Sequence, residues 1–188
     1  MNLRCANPQL ARMDELEATT LVVAHFGDER PLTGVGGLVD WRFNGFLSRL
    51  VLAEKLDGSW GEQLLYPIPR PDSRPPRLPF QKLLVVGLGE RQKYGSSRFK
   101  EVSARILRTL QRLDVHSFAT VLPGRDSLKL APRQMMELWL SEFHKVFVAP
   151  RVHDLMLDVV FLEPPDPTGE VKEMLSQFSR QYGPPRSR

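Results

Sequence analysis

Two glycine-rich turns are the stretches of this sequence whose residue types suit ligand chemistry. The first, GVGGLVD at 34–40, runs into a regular apolar pattern, and the second, GLG at 87–89, follows an apolar run. Glycine lets a backbone approach a phosphate closely, and the first N–H groups of a helix favour its negative charge. The candidate ligand-binding residues are therefore Gly34, Gly36, Gly37, Asp40, Gly87 and Gly89.

The same glycines have a simpler explanation. A tight turn needs residues that tolerate a positive φ, and glycine adopts such a backbone without steric cost. Between the two interpretations of the first turn, the sequence favours the tight turn, and a phosphate site is the alternative.

Four arginines are a second candidate site. They are spaced 7, 3 and 4 residues apart on a predicted helix over 97–113, so they fall near one face and could contact nucleic-acid phosphates. Glu101 lies on that face four residues before Arg105, a spacing at which the two side chains can form an ion pair. This favours a solvated helix surface instead. The four residues are Arg98, Arg105, Arg108 and Arg112.

A predicted helix over 132–148 is apolar around more than half of its circumference. A helix of this kind is buried on two sides, one of which is this domain's own sheet. We expect part of the other side to remain exposed and to bind a second copy or another protein chain. The competing account is that the C-terminal helix folds over it. The candidate partner-binding residues are Met135, Trp139, Phe143 and Phe147.

Signatures of metal-dependent and nucleophilic catalysis are missing. The sequence contains no HExxH, CxxC or GxSxG motif, and its four histidines lie in separate elements. Cys5 is the single cysteine and has no activating histidine near it in the sequence, so we expect neither a disulfide within the chain nor a catalytic thiol. We expect no metal and no cofactor.

Composition and charge place the chain among globular proteins. It has 188 residues, 41% of them hydrophobic, and a net charge of +4. The N-terminus lacks the apolar run of a signal peptide, and no segment approaches the length of a membrane span, so we expect a cytoplasmic protein.

Hydrophobic periodicity predicts alternating strands and helices. Apolar runs predict strands at 19–26, 62–68, 82–89, 117–123 and 154–162, and helical spacing predicts helices at 38–56, 97–113, 132–148 and after 166. This order predicts a three-layer α/β/α sandwich with a mostly parallel, mixed sheet. We expect one domain over 1–182 and a disordered tail at 183–188.

Three segments resemble the amino-terminal domain of the leucyl aminopeptidase family. They are LVVAHFGDERPLTGVGGLVDWRFNGFLSRL, KLLVVGLGERQKYGSSRFKEVSARILRTL and LAPRQMMELWLSEFHKVFVAPR, and the resemblance extends over about residues 8–180. It implies a macro-domain-like fold. It also implies that the catalytic residues of the family lie in a following domain, whose NTDAEGR-like and GKG…FDSGG-like signatures are not in this sequence.

The resemblance also bears on ligand binding. Macro domains that bind ADP-ribose carry an Asn-rich segment after the first strand, whereas Ala24 and His25 stand here. Trp41 follows Asp40, where those domains favour small residues, and its bulk is expected to close the cleft. We therefore expect ADP-ribose to bind no more tightly than about 100 μM.

The sequence leaves three functions open. The first is a non-catalytic domain of the aminopeptidase amino-terminal type that acts in protein association or oligomer assembly. The second is a macro-like module that binds a nucleotide or ADP-ribose at the loops 34–40 and 87–91. The third is non-specific binding of nucleic acid.

Overall fold

The computed structural model describes residues 1–69, 78–149 and 156–183. Within these ranges strands and helices alternate, as the apolar periodicity predicts. The strands are β1 (Asn2–Ala6), β2 (Thr20–His25), β3 (Gln63–Pro67), β4 (Lys82–Gly87), β5 (Ser117–Thr120) and β6 (Asp158–Leu162). The helices are α1 (Leu10–Asp14), α2 (Gly34–Arg42), α3 (Phe46–Leu52), α4 (Ser96–Arg112), α5 (Pro132–Phe143) and α6 (Glu170–Tyr182).

The six strands form one mixed sheet in the order β1-β6-β5-β2-β4-β3. Every neighbouring pair is parallel except β3 and β4, which are antiparallel. A parallel sheet needs both faces covered, and successive side chains of a strand point to opposite faces. In β2, Val22 joins a core with α4, α5 and α6, whereas Leu21 and Val23 join a core with α2 and α3. The predicted α/β/α sandwich is confirmed.

The first strand is a correction to the sequence analysis, whose predicted strands begin only at 19–26. Residues Asn2–Ala6 form β1, which pairs in parallel with β6 from Asn2↔Asp158 to Ala6↔Leu162. The side-chain amide of Asn2 donates a hydrogen bond of 2.7 Å to Asp158 Oδ1. The N-terminal residues are therefore an edge of the sheet.

The predicted helix over 38–56 is also corrected. It is two helices, α2 and α3, separated by a turn at Asn44 and Gly45. Both turn residues have a positive φ, 54° and 73°, which ends an α-helix. The apolar spacing continues across the turn because α2 and α3 pack on the same face of the sheet. The prediction for 97–113 is confirmed by α4 at Ser96–Arg112.

The helix predicted at 132–148 is α5, followed by a π-helical segment at His144–Val148. The prediction that part of its surface lies outside the core is wrong. Met135, Trp139 and Phe143 are fully buried and Phe147 is 5% exposed. The C-terminal helix α6 covers this side, as the competing account holds, with Phe178 against Phe143 at a centroid distance of 6.0 Å. A partner cannot reach these side chains while α6 is docked.

Candidate functional site

A cleft of about 370 Å³ lies at the carboxyl ends of the central parallel strands, where ligands of open α/β sheets bind. The segments that follow β2, β4, β5 and β6 all contribute to it. Because these segments are far apart in the sequence, their residues meet only in the folded sheet. The polar and aromatic lining residues are Phe26, Glu29, Thr33, Arg91, Arg125, Asp126, Ser127 and Glu163.

The glycine turn at 34–37 forms one wall of the cleft. Its three glycines differ in whether the fold itself requires a residue without a side chain. Gly34 has a φ of +54°, and a Cβ at Gly37 would lie 2.6 Å from the carbonyl oxygen of Leu32. These two positions require glycine for the turn itself. Gly36 has no positive φ, and a Cβ there would have no atom within 4 Å. Gly36 lines the cleft, so neither packing nor backbone conformation explains its lack of a side chain.

Glu29 holds the segment that leads into this turn. Its carboxylate accepts hydrogen bonds from the backbone N–H of Phe26 at 3.2 Å and of Thr33 at 2.8 Å. The side chain is 10% exposed, and its charge is balanced by Arg91 at 3.6 Å. The first backbone N–H groups of α2, which follow, have no acceptor among the described residues until Gly37 donates to Thr33 at 3.0 Å. Such unpaired N–H groups suit an anion.

Two arginines line the cleft, and each is paired with a carboxylate of the same cleft. The guanidinium of Arg91 lies 4.4 Å above the ring of Phe26 and donates to Ser127 Oγ at 2.6 Å. Arg125 donates through Nη1 to Glu163 at 2.8 Å. The other carboxylate oxygen of Glu163 accepts the N–H of Leu122 at 2.7 Å. Burial raises the pKa of Glu163 above its ordinary value, and the hydrogen bond from Leu122 and the charge of Arg125 oppose this rise.

The predicted ligand-binding residues separate into two groups in the structure. Gly34 and Gly36 line the cleft, whereas Gly37, Asp40, Gly87 and Gly89 do not. Asp40 accepts hydrogen bonds from the N–H and hydroxyl of Ser48 and so fixes the first turn of α3.

The second glycine turn packs against another loop. A Cβ at Gly87 would lie 2.7 Å from the carbonyl carbon of Gly58, so glycine is required for this close approach. Gly89 has a φ of +71° and donates its N–H to the oxygen of Gly58 at 2.8 Å. Leu88 of this turn lines the cleft, whereas the two glycines beside it do not.

Trp41 does not close the cleft. Its side chain is 67% exposed and is not part of the lining. The steric argument against a nucleotide in this cleft is therefore removed.

The arginine face of α4 is partly occupied by contacts within the chain. Arg98 and Arg105 approach the ring of Trp60, with guanidinium carbons 4.8 and 6.0 Å from its centroid. Arg105 also pairs with Glu101 at 3.5 Å, as the i, i+4 spacing predicts. Arg108 and Arg112 are exposed, and within the described ranges they form no ion pair. Nucleic-acid binding through this face stays a prediction.

His25, at the end of β2, is buried with one nitrogen unpaired. Its side chain is 3% exposed, Nδ1 lies 3.2 Å from the carbonyl oxygen of Phe26, and Nε2 has no partner in the described part of the chain. Burial lowers the pKa of His25 below its ordinary value, against smaller opposing effects of the Phe26 carbonyl and of Glu29 and Glu62. The folded protein therefore favours neutral His25.

We expect His25 to make the protein less stable in acid. The unfolded chain binds a proton at His25 below a pKa of about 6.5, whereas the folded chain resists protonation. The free energy of unfolding should fall as the pH drops from about 6.5 toward the lower folded pKa, by at most about 1.4 kcal/mol per pH unit. Urea unfolding of wild type and His25→Gln between pH 7.5 and 5.0 measures this. Parallel stability curves for the two proteins would contradict the assignment.

Among the described residues, no group of three or more His, Cys, Asp or Glu side chains is arranged to hold a metal ion. No described helix is long and apolar enough to cross a membrane. Cys5 lies in a groove where desolvation and the charges of Glu163 and Asp166 raise its pKa to about 11, so the thiol is protonated at neutral pH.

Comparison with known proteins identifies the sequence family. Residues 22–140 match the profile of the cytosol aminopeptidase family, N-terminal domain. A curated relative, the probable cytosol aminopeptidase of Thermosynechococcus vestitus, is 31% identical over 105 residues. That match covers 55% of this chain and 20% of the relative, so the match spans about a fifth of the relative's length.

Solved structures share the fold at low sequence identity. A mutant of tomato leucine aminopeptidase superposes with a TM-score of 0.56 and 12% identity, covering 96% of this chain and 35% of that one. The Trypanosoma brucei macrodomain in complex with ADP superposes with a TM-score of 0.65 and 17% identity, covering 93% of this chain and 67% of that one. These neighbours show that the sandwich is macro-domain-like. The family profile matches well over half of the residues of this chain. The chain therefore belongs to the cytosol aminopeptidase family, and the part matched is the N-terminal domain of that family.

Proposed function

We propose that this domain binds a phosphate-bearing ligand of the nucleoside diphosphate class in the strand-end cleft. The observation that carries the proposal is Gly36, which lines the cleft although neither its φ nor its packing requires glycine. Glycine inside a helix costs about 1 kcal/mol relative to alanine. A ligand that approaches the backbone at this position accounts for that cost.

The chemistry around Gly36 supports an anion. The unpaired N–H groups at the start of α2 favour negative charge. Arg91 and Arg125 line the same cleft and, although each is paired with a carboxylate, carry further N–H donors that an anion can accept from. Phe26 and Leu88 offer apolar surface beside them. The fold is also that of a macrodomain solved in complex with ADP, which places this ligand class among the first to test.

The cleft proposal predicts a specific loss of binding on Gly36→Val. Calorimetry with ADP-ribose and with ADP should give saturable binding to the wild type with a Kd between about 10 μM and 1 mM. The valine side chain would fill the space beside the backbone, so Gly36→Val should weaken binding at least about tenfold, which is 1.4 kcal/mol.

Gly95→Val is the matched control, because a Cβ at Gly95 also has no atom within 4 Å and Gly95 does not line the cleft. It should bind like wild type. No heat at 1 mM of either ligand, or equal binding by Gly36→Val, would exclude the proposed site.

We also propose that the chain has no peptidase activity of its own. The matched profile is that of the N-terminal domain, and within the described ranges no cluster of carboxylates and histidines could hold the two metal ions of a two-metal hydrolase. Leucine p-nitroanilide with manganese or zinc is the test substrate. Turnover that coelutes with the purified chain on gel filtration would contradict this.

Association with other chains is a second candidate function, and the exposed α2–α3 layer favours it. Trp41 on α2 is 67% exposed and Leu52 on α3 is 80% exposed, whereas the aromatic side chains of α5 are covered. Large apolar side chains at a surface often mark contacts with other chains. Light scattering over a concentration series should show the mass of the wild type rising, and that of a Trp41→Ser/Leu52→Ser double variant staying monomeric. A double variant that associates like the wild type would exclude this surface.

A further inference from the structure

A second and larger cavity, of about 1230 Å³, is a groove between the free edge of β1 and one face of α6. The whole of β1 contributes to one wall. The side chains of the other wall recur every three or four residues along α6, as one helix face requires. They are Lys172, Leu175, Ser176, Ser179 and Arg180. Among the described residues, the groove and the strand-end cleft share four lining residues, Leu122, Arg125, Glu163 and Pro164.

The edge of β1 presents backbone hydrogen-bonding groups to this groove. The N–H of Asn2 donates to Leu157, and the carbonyl of Ala6 accepts from Glu163, so these residues face β6. Backbone groups alternate in direction along a strand, so those of Leu3 and Cys5 face the groove. The N–H of Leu3 donates to Ser179 Oγ at 3.2 Å. The N–H of Cys5 has no partner among the described residues and is available to an added strand.

The charge on the α6 wall is positive. Lys172 forms no ion pair in the part of the chain that the structure describes, and Arg180 bonds only to Ser176 there. Two other basic residues of the groove are already neutralised, Arg4 by Asp158 and Arg125 by Glu163. Asp166 also lines the groove, where its carboxylate accepts the N–H groups of Thr168 and Val171. With two uncommitted cations against this one carboxylate, the groove keeps a positive charge that favours an occupant with acidic side chains.

The spacing of these cations matches an extended chain. The C-terminal end of α6 lies beside the start of β1, because Ser179 meets Leu3 and Gly183 lies against Met1. The helix thus runs antiparallel to the strand. Lys172 and Arg180 are eight residues apart, about 12 Å along a helix axis. Four residues of an extended strand span about 13 Å, and side chains four apart point the same way.

We propose that this groove binds an extended peptide whose acidic side chains are four residues apart, and that the peptide adds to β1 as a further strand of the sheet. Main-chain hydrogen bonds to Cys5 and to the carbonyl of Leu3 hold it, and Lys172 and Arg180 select its charge. A second copy of β1 does not fit this chemistry, because NLRCA contains Arg4 and no acidic residue.

The test is fluorescence anisotropy with a fluorescein-labelled Val-Glu-Val-Thr-Val-Glu-Val peptide, acetylated or amidated at its other end. We expect saturable binding to the full chain, weakened at least about tenfold by replacing both glutamates with lysine. The double variant Lys172→Glu/Arg180→Glu should bind the glutamate peptide at least about tenfold more weakly. Lys100→Glu/Arg108→Glu is the matched control, since both residues are exposed on α4 outside the groove, and it should bind within twofold of wild type.

Hydrogen exchange measures the backbone pairing of the peptide with β1 separately from the effect of the charges on α6. The Cys5 N–H should be protected when the glutamate peptide is added, and the N–H groups of β3 at the opposite edge should not. Four results would overturn the proposal. They are no saturation at 1 mM peptide, equal binding of the lysine peptide, unchanged exchange at Cys5, and a dimer that buries β1 and excludes the peptide.

Discussion

Replacing Trp139 by alanine is expected to lower the free energy of unfolding by about 3–5 kcal/mol. Trp139 is fully buried on α5, where it stacks on Phe143 with a centroid distance of 5.3 Å and meets the edge of Phe161 at 4.7 Å. Because α5, β6 and α6 share this core, the cavity left by the indole cannot be filled without moving all three. Urea unfolding monitored by circular dichroism measures the loss.

Trp139→Phe is the matched control for this prediction. The indole N–H of Trp139 has no acceptor among the described residues, so phenylalanine keeps the aromatic contacts and removes a buried unpaired donor. Its cost should be below about 2 kcal/mol. An alanine variant that loses less than about 1.5 kcal/mol would show that this core collapses around the vacancy.

The substitution Leu175→Asp is expected to undock α6 and turn the protein into an aggregating species. Leu175 is 1% exposed and packs in the core shared with α5 and β1. An unpaired carboxylate there costs several kcal/mol, and the change also removes the apolar contacts that Leu175 contributes to docking. Once α6 leaves, Phe143 and Phe147 become the exposed apolar surface that the sequence analysis expected. Light scattering should show large species, and a hydrophobic dye should fluoresce.

Gln177→Asp is the control for the charge itself, because it adds the same carboxylate on the exposed face of α6. It should remain at the mass of the wild type, without dye binding. If Leu175→Asp behaves in the same way, α6 does not protect α5, and the burial of Phe143 has another cause.

Much of the fold follows from local sequence, and the exceptions have identifiable causes. The apolar runs of β2, β4 and β6 and the stripe of α4 have clear periods, so they are recognisable without the structure. β1 is not recognisable in this way, because Leu3 is the one buried residue of NLRCA and the strand depends on a partner 156 residues away. The break between α2 and α3 had a local signal, the Asn44-Gly45 pair, but the continuous apolar spacing obscured it.

The candidate site was less predictable than the fold. Gly34 and Gly36 could be found because a glycine turn before a helix is a local pattern. Phe26, Arg125 and Glu163 were missed, since each comes from a different segment and only the sheet order brings them together. The α5 residues were assigned to a partner because a wide apolar face does not indicate which element covers it. Contacts seen in the folded chain, such as that between Phe178 and Phe143, distinguish α6 from a second chain.

The pairing of β1 with β6 has a consequence for biosynthesis. Asn2 leaves the ribosome 156 residues before its partner Asp158. At a translation rate of about 5–20 residues per second, roughly 8–30 s pass between the synthesis of β1 and that of β6, its partner strand. Local helices form within microseconds, so this non-local closure is expected to be the last and slowest step of folding. During translation the nascent chain therefore carries its N-terminal segment as an unpaired strand, available to chaperones until β6 emerges.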